Sequence, residues 1–173
     1  MAISIRETNQ NDLEALIALY PLAFPDEELR PLVKELLDEP ESVYSFAAFD
    51  GAQLKGHALY SLGSVDGAQG AALLGPLAVA PSHQRQGVGR GLQLHAHNAL
   101  KSKGVRQIFV LGDPKYYSRI GFAQESLVTT PCPIPDIWAY AWQSQELSAG
   151  ARFVAGVLSL PEPWMQPAYW GPT

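Results

Sequence analysis

The chain has 173 residues, 47% of them apolar and only 17% charged, with 17 acidic side chains against 12 Lys and Arg and a formal charge of -5. Such a chain buries a core without staples and has too much apolar content for disorder. It also lacks the basic surface that duplex nucleic acid demands, and its single cysteine, Cys132, excludes a disulfide framework or a paired-thiolate zinc site.

Ile3 to Arg6 reads as a short strand. Asn9 with Asp12 three residues on has the form of a capping box, and Leu13, Leu16, Ile17 and Tyr20 follow with helical spacing up to Pro21. A second helix is expected after Asp26, with Leu29, Val33, Leu36 and Leu37 on one face, ending before Pro40. Val43 to Phe49 and Gln53 to Leu62 flank Asp50-Gly51, a hairpin signal, and Asp66-Gly67 marks a second turn. Ala71 to Val79 is the next strand, with Gly75-Pro76 expected to interrupt it.

From Gly87 the period changes. Val88, Leu92, Ala96, Ala99 and Leu100 form a helical stripe, Gly104 terminates it, and Gln107 to Leu111 is a compact strand. Strand, glycine-rich turn, helix and strand make a βαβ unit, so the strands at 71–79 and 107–111 should be parallel neighbours. Beyond Ala123, β-like runs lie near Ile137 to Trp142 and Phe153 to Leu158, and the proline-rich stretch from Thr130 to Pro135 reads as a loop. One domain over 1–173 is expected, with a core at about 3–122 and an aromatic tail at 123–173. The first residues turn polar at once and no apolar run approaches a membrane span, so the expected location is the cytoplasm, with no membrane partner.

The run Leu77-Ala-Val-Ala-Pro-Ser-His-Gln-Arg-Gln-Gly-Val-Gly-Arg90 joins a strand to a helix N-terminus, where unpaired amides and the helix dipole favour phosphate. A Walker loop would need a lysine that is absent, and the dinucleotide fingerprint would need its third glycine elsewhere. Gln84-x-x-Gly87-x-Gly89 after Val79-Ala80-Pro81 resembles the signature of the GNAT superfamily of acyl-CoA-dependent N-acetyltransferases. Val110-Leu-Gly-Asp-Pro-Lys-Tyr-Tyr-Ser-Arg-Ile-Gly-Phe122 resembles its second landmark, a tyrosine four residues before Gly-Phe. The hairpin Phe46-Ala-Ala-Phe-Asp-Gly with Gly56-His57, and Leu74-Gly-Pro-Leu-Ala-Val79, fit as well. The resemblance covers about residues 3 to 122 and is closest to a branch carrying Gly-Asp-Pro-x-Tyr-Tyr.

This resemblance implies an α/β (α+β) fold whose central mixed, mostly antiparallel sheet is flanked by helices and contains a splayed parallel strand pair. It implies acetyl-CoA as co-substrate, no metal, and direct transfer to a small-molecule or peptide amine in a ternary complex. Backbone of Leu77, Ala78 and Val79 would meet the pantetheine arm and polarise the thioester. Gln84, Arg85, Gln86, Gly87, Val88, Gly89 and Arg90 would hold the pyrophosphate. Tyr117 would protonate the departing thiolate, with Tyr116 its neighbouring competitor. Candidates for the base are Glu27, Glu28 and Asp113, with water relays open as well; Asp113 leads, and its plainer reading is a turn residue before Pro114. His57 reads as a structural histidine, and His95 and His97 are spaced too closely to share a helix face. The aromatic tail could line an acceptor pocket or a homodimer face. Two other readings stay open at this point: a non-catalytic acyl-CoA-binding module, and a nucleotide-binding domain.

Overall fold

The structure is a computed structural model, described here for residues 2–171. The chain condenses into two compact units, one of residues 1–60 with 75–99 and the other of 61–74 with 100–173.

In the first unit, β1 (Ile3–Glu7) pairs antiparallel with β2 (Val43–Asp50), Ile3 opposite Asp50 and Glu7 opposite Phe46. Next to β2 comes β3 (Gln53–Val65) and then β4 (Ala68–Val79), two long strands that belong to both units. Asn9 Oδ1 accepts from Asn11 N–H and Asp12 Oδ2 accepts from Asn9 N–H, so the expected capping box forms. It caps a short 3-10 turn that leads into α1 (Leu13–Ala23). That helix runs past Pro21 instead of closing there. A proline removes one donor, and in the last turn the helix still ends on the Phe24 N–H to Tyr20 carbonyl bond at 2.8 Å. The second helix, α2 (Arg30–Leu37), starts four residues later than Asp26, with Pro31 in its first turn. Leu32, Val33 and Leu36 are its buried face.

The helix α3 (Val88–Ser102) buries Val88, Leu92 and Ala96, as its stripe predicts. It packs close to β3. A Cβ on Gly56 would come within 2.9 Å of Val88 Cγ1 and 3.0 Å of Leu92 Cδ1. Glycine at that position therefore sets how near the first turn of α3 approaches the sheet.

The second unit contains β5 (Gln107–Leu111), parallel to β4 with Ala71, Ala72 and Leu73 opposite Gln107, Ile108 and Phe109. The ladder to β5 stops at Leu73, just before Gly75-Pro76, as a glycine and proline inside a strand predict, while β4 itself continues through them to Val79. On its other edge β5 pairs antiparallel with β8 (Trp142–Glu146), which also carries β6 (Ala123–Gln124). Between them lie α4 (Pro114–Tyr117) and β7 (Val128–Thr129); the latter pairs parallel with β9 (Gly156–Ser159), which pairs antiparallel with β3 at Ser64 and Val65. The fold class is the expected one, a mixed, mostly antiparallel sheet with a parallel β4–β5 pair and flanking helices.

The tail departs from its reading. Residues Asp136–Ala141 form a 3-10 helix, and the strand begins only at Trp142. Three prolines precede it, and the Pro135 carbonyl accepts from Trp138 N–H at 2.8 Å, closing a turn where a strand would need open edges. Trp164, Trp170 and Trp142 pack ring against ring, with Trp164 Nε1 donating to Ser61 Oγ and Trp170 Nε1 donating to Trp164 O.

Candidate active site

The predicted cofactor-binding residues all fall in the first unit, Leu77 to Val79 on the end of β4 and Gln84 to Arg90 on the following loop and the first turn of α3. Ala80 N–H donates to Lys55 O on β3. Successive residues of a strand turn their backbone groups to opposite edges. Leu77 and Val79 therefore present theirs away from β3. Gln84 Nε2 donates to Val79 O at 3.0 Å and Gln86 Nε2 donates to Ser82 O at 3.1 Å, so two of the loop's own side chains brace it from within. Arg85 is held at φ 61° and Gly87 at φ 85°. A left-handed arginine is uncommon, and with the glycine it turns the chain sharply into α3. Space around Gly87 is open, with nothing within 4 Å of where a Cβ would stand. Val88, Gly89 and Arg90 form the first turn of α3, at the positive end of its dipole, where backbone amides point out of the helix end. These are the features an incoming pyrophosphate needs, and the residues present fit one.

A second brace was not legible in the sequence. His83 Nε2 lies 2.9 Å from Asp50 Oδ2 and His83 Nδ1 lies 2.7 Å from Ser82 Oγ, which ties the loop to the end of β2. The signal was divided between a hairpin Asp and a histidine 33 residues on.

Tyr117 and Asp113 both belong to the second unit, where β5 ends and α4 begins. Asp113 Oδ1 accepts from Lys115 N–H at 2.9 Å, the geometry of a helix N-cap. The Asp113 carbonyl accepts from Tyr117 N–H at 3.0 Å, and Tyr117 O accepts from Phe122 N–H at 3.1 Å. The Tyr117 ring stands edge-on to Tyr116 and Phe122, with centroids 4.8 and 5.4 Å away. Burial, with a smaller contribution from Tyr116, pushes the Tyr117 phenol well above the ordinary range, so it keeps its proton. Tyr116 is the more exposed of the two.

Glu27 and Glu28 rim an open cavity of ≈ 380 Å³ between α1 and α2, with Phe24 and Arg30. Glu28 is clamped by Arg30 through side chain and backbone, and those bonds lower its pKa to about 2. His57 is fully buried, its Nδ1 2.7 Å from Tyr20 Oη and its Nε2 2.7 Å from Ser45 Oγ. Desolvation lowers its pKa to about 3, against a weaker opposing pull from Asp12. The imidazole is thus neutral and bonded on both nitrogens. His95 packs edge-on to Phe46 and His97 to Tyr60, so the two point to different rings. Cys132 is buried, with its Sγ 3.8 Å from Met165 O. Among the described residues, no three of His, Cys, Asp and Glu gather as a metal site, and no helix is long and apolar enough to cross a membrane.

Comparison with known proteins bears on this geometry. Residues 13–125 match the model of the acetyltransferase (GNAT) family. The chain is 29% identical over 165 residues to the uncharacterized N-acetyltransferase YjhQ of Escherichia coli (strain K12), covering 90% of this chain and 91% of that one. Its fold is similar to the crystal structure of the GNAT family N-acetyltransferase YhbS from Escherichia coli in complex with CoA. The TM-score is 0.86 at 25% identity, over 95% of this chain and 92% of that one. A GNAT family acetyltransferase from Brucella melitensis in complex with acetyl-CoA superposes with a TM-score of 0.75 at 23% identity, over 94% and 97% of the two chains.

Proposed function

The chain belongs to the GNAT family of acetyltransferases and is an N-acetyltransferase; from that premise we propose that it moves the acetyl group of acetyl-CoA directly onto a primary amine, with no acetyl-enzyme intermediate. The observation that carries the proposal is the loop from Gln84 to Arg90, braced by its own glutamines and opening onto the first-turn amides of α3. Acetyl-CoA brings the thioester, whose carbonyl carbon the amine attacks. Amides of Gly87, Val88, Gly89 and Arg90 hold the pyrophosphate, with Arg85 and Arg90 adding positive charge. Backbone groups of Leu77 and Val79, turned away from β3, pair with the pantetheine arm. A backbone N–H of the Leu77–Val79 stretch donates to the carbonyl oxygen as it becomes an oxyanion, where fixed donors are worth most.

As the nitrogen–carbon bond forms, the carbon–sulfur bond breaks and CoA leaves as a thiolate. Tyr117 supplies the hydrogen bond, and then the proton, that this sulfur needs, and the second proton that the nitrogen sheds as it becomes an amide restores the phenol. The base that takes the proton from the ammonium is Asp113 through its second carboxylate oxygen, directly or through water, since its first oxygen is committed to the Lys115 amide.

The experiment is thiol release from acetyl-CoA measured against a panel of primary amines and peptide N-termini. Turnover with at least one amine, giving equal amounts of acetylated amine and free CoA, is the expected result. Tight acetyl-CoA binding with no turnover on any amine would point instead to an acyl-CoA-binding module.

A further inference from the structure

Tyr117 lies on bare backbone. A Cβ on Gly112 would stand 2.5 Å from Tyr117 Cε2, 3.1 Å from Cδ2 and 3.5 Å from Cζ. Carbon atoms in contact sit about 3.5–4.0 Å apart, so a side chain of any kind at Gly112 and this ring position exclude each other. The reason is spatial and not conformational. Gly112 is absent from the glycines held at positive φ, so a left-handed backbone is not what calls for glycine there.

The floor under the ring is also fixed in place. Gly112 N–H donates to Ala141 O at 2.9 Å, and Gly112 O accepts from Gln143 Nε2 at 3.0 Å. The ring is bounded laterally by Tyr116 and Phe122 and held at its root by the Asp113-capped turn of α4. A rigid floor, two ring walls and a capped root define a slot, and the slot's depth is set by the missing side chain.

The geometry points to Gly112 as the positioning residue for acetyl transfer, its lack of a Cβ setting the height at which the Tyr117 hydroxyl stands. The inference rests on the reading of Tyr117 as the hydroxyl that meets the CoA sulfur. Restoring ordinary contact above a Cβ requires the ring to rise by roughly 1 Å, and a displacement of that size at a reacting group costs on the order of 10²-fold in rate.

The test needs no acceptor amine. CoA and desulfo-CoA, which lacks the sulfur, are titrated into the parent, Gly112→Ala, Tyr117→Phe and the double variant. A neutral hydrogen bond to the sulfur gives the parent an expected preference for CoA of about 2- to 10-fold. Each single variant should lose that preference while keeping its affinity for desulfo-CoA, and the double variant should lose nothing more. If Tyr117→Phe loses the preference and Gly112→Ala keeps it, the positioning role is overturned and the role of Tyr117 stands. Should Tyr117→Phe itself keep the preference, the hydroxyl does not meet the sulfur and both ideas fall. Weaker binding of both ligands in Gly112→Ala, added in full in the double variant, would mean a general structural defect and also overturn the proposal. Thermal melts guard against a Gly112→Ala protein that does not fold. Gly112→Ala/Tyr117→Ala should melt with Tyr117→Ala alone, because the ring that the Cβ meets is gone. A further loss in the pair would show that the Cβ collides elsewhere and would overturn the slot.

Discussion

Tyr117 was legible as a residue four places before Gly-Phe, but its environment was not. The sequence shows a phenol; the structure adds that burial keeps it protonated well past its ordinary pKa of about 10. A donor that never ionises in the working range gives no alkaline limb of its own below about pH 10. Tyr117→Phe should lower kcat by about 10²–10⁴-fold with little change in KM for acetyl-CoA, whereas Tyr116→Phe should do much less. Steady-state kinetics on any amine that the parent accepts will separate the two. His57 is a second case in which the residue type was plain and its role was not. Its neighbours Tyr20 and Ser45 lie 37 and 12 residues away, and only folding shows that both ring nitrogens are occupied. Its pKa is depressed to about 3 from 6.5. The stability it contributes is therefore complete above the unfolded pKa and is lost as pH falls toward the folded one, because the unfolded chain takes up the proton first. Melting temperature should fall between about pH 6.5 and pH 4.5, a window above most carboxylate titration, and the fall should be shallower in His57→Gln. Equal slopes in the two proteins would remove His57 from the account.

At the scale of elements, the local signals were strong where one period dominates a segment. The α3 stripe, the Asp50-Gly51 turn and the β5 run all stand where their patterns put them. The loop from Gln84 to Arg90 was likewise readable, since its glycines and its place between strand and helix are local facts. Gly89→Glu should abolish the thermal shift that acetyl-CoA produces, by placing a carboxylate where phosphate approaches, and the variant's own melt will show whether it is folded. The tail was not readable, because long-range contacts hold it. Glu125 is buried and accepts from Ser144 Oγ and from the amides of Leu127 and Val128, with Arg152 3.3 Å away. Gln107 on β5 donates to the same carboxylate and accepts from Phe153 N–H, so one acidic side chain joins β5, β8 and the 152–153 segment. Burial raises the Glu125 pKa, and the hydrogen bonds from Ser144, Val128 and Leu127 with the charge of Arg152 outweigh it, so the net shift is downward. Its stabilisation is thus present above the unfolded pKa near 4.5 and lost as pH falls through the lower folded value. Glu125→Gln should cost about 1.5–3 kcal/mol at neutral pH, the range for hydrogen bonds to a charged group. Denaturant melts should show that difference shrinking below about pH 4.5; a difference independent of pH would mean that the charge is not what matters.

For the whole molecule, composition set useful limits and a net charge of -5 weighed against nucleic acid, yet neither gave the chemistry. Two motifs carry the proposed chemistry, and they lie in different compact units, Gln84 to Arg90 in one and Asp113 to Tyr117 in the other. The strands β3 and β4 contribute residues to both. A ligand that binds only the folded chain at 100 times its Kd adds about 2.7 kcal/mol of stability. Acetyl-CoA should therefore raise the melting temperature, while NAD and ATP at equal concentration should do so far less. A larger shift with either nucleotide would overturn the acyl-CoA assignment.

The tryptophan cluster gives that measurement an unexpected bias. Trp138, Trp142, Trp164 and Trp170 are all of the chain's tryptophans, and every one belongs to the second unit. The helices α1 and α2, and α3 as far as Ala99, belong to the first. Indole emission is therefore a one-sided witness: it follows the loss of the second unit and does not register the first, whereas helical dichroism mostly follows the first. Recorded together, the two optical signals become a test of cooperativity. Coincident midpoints describe a chain that unfolds as one body. Separated midpoints would mean that an emission-based melt, the commonest way to screen ligands, leaves out the unit that holds the proposed pyrophosphate loop.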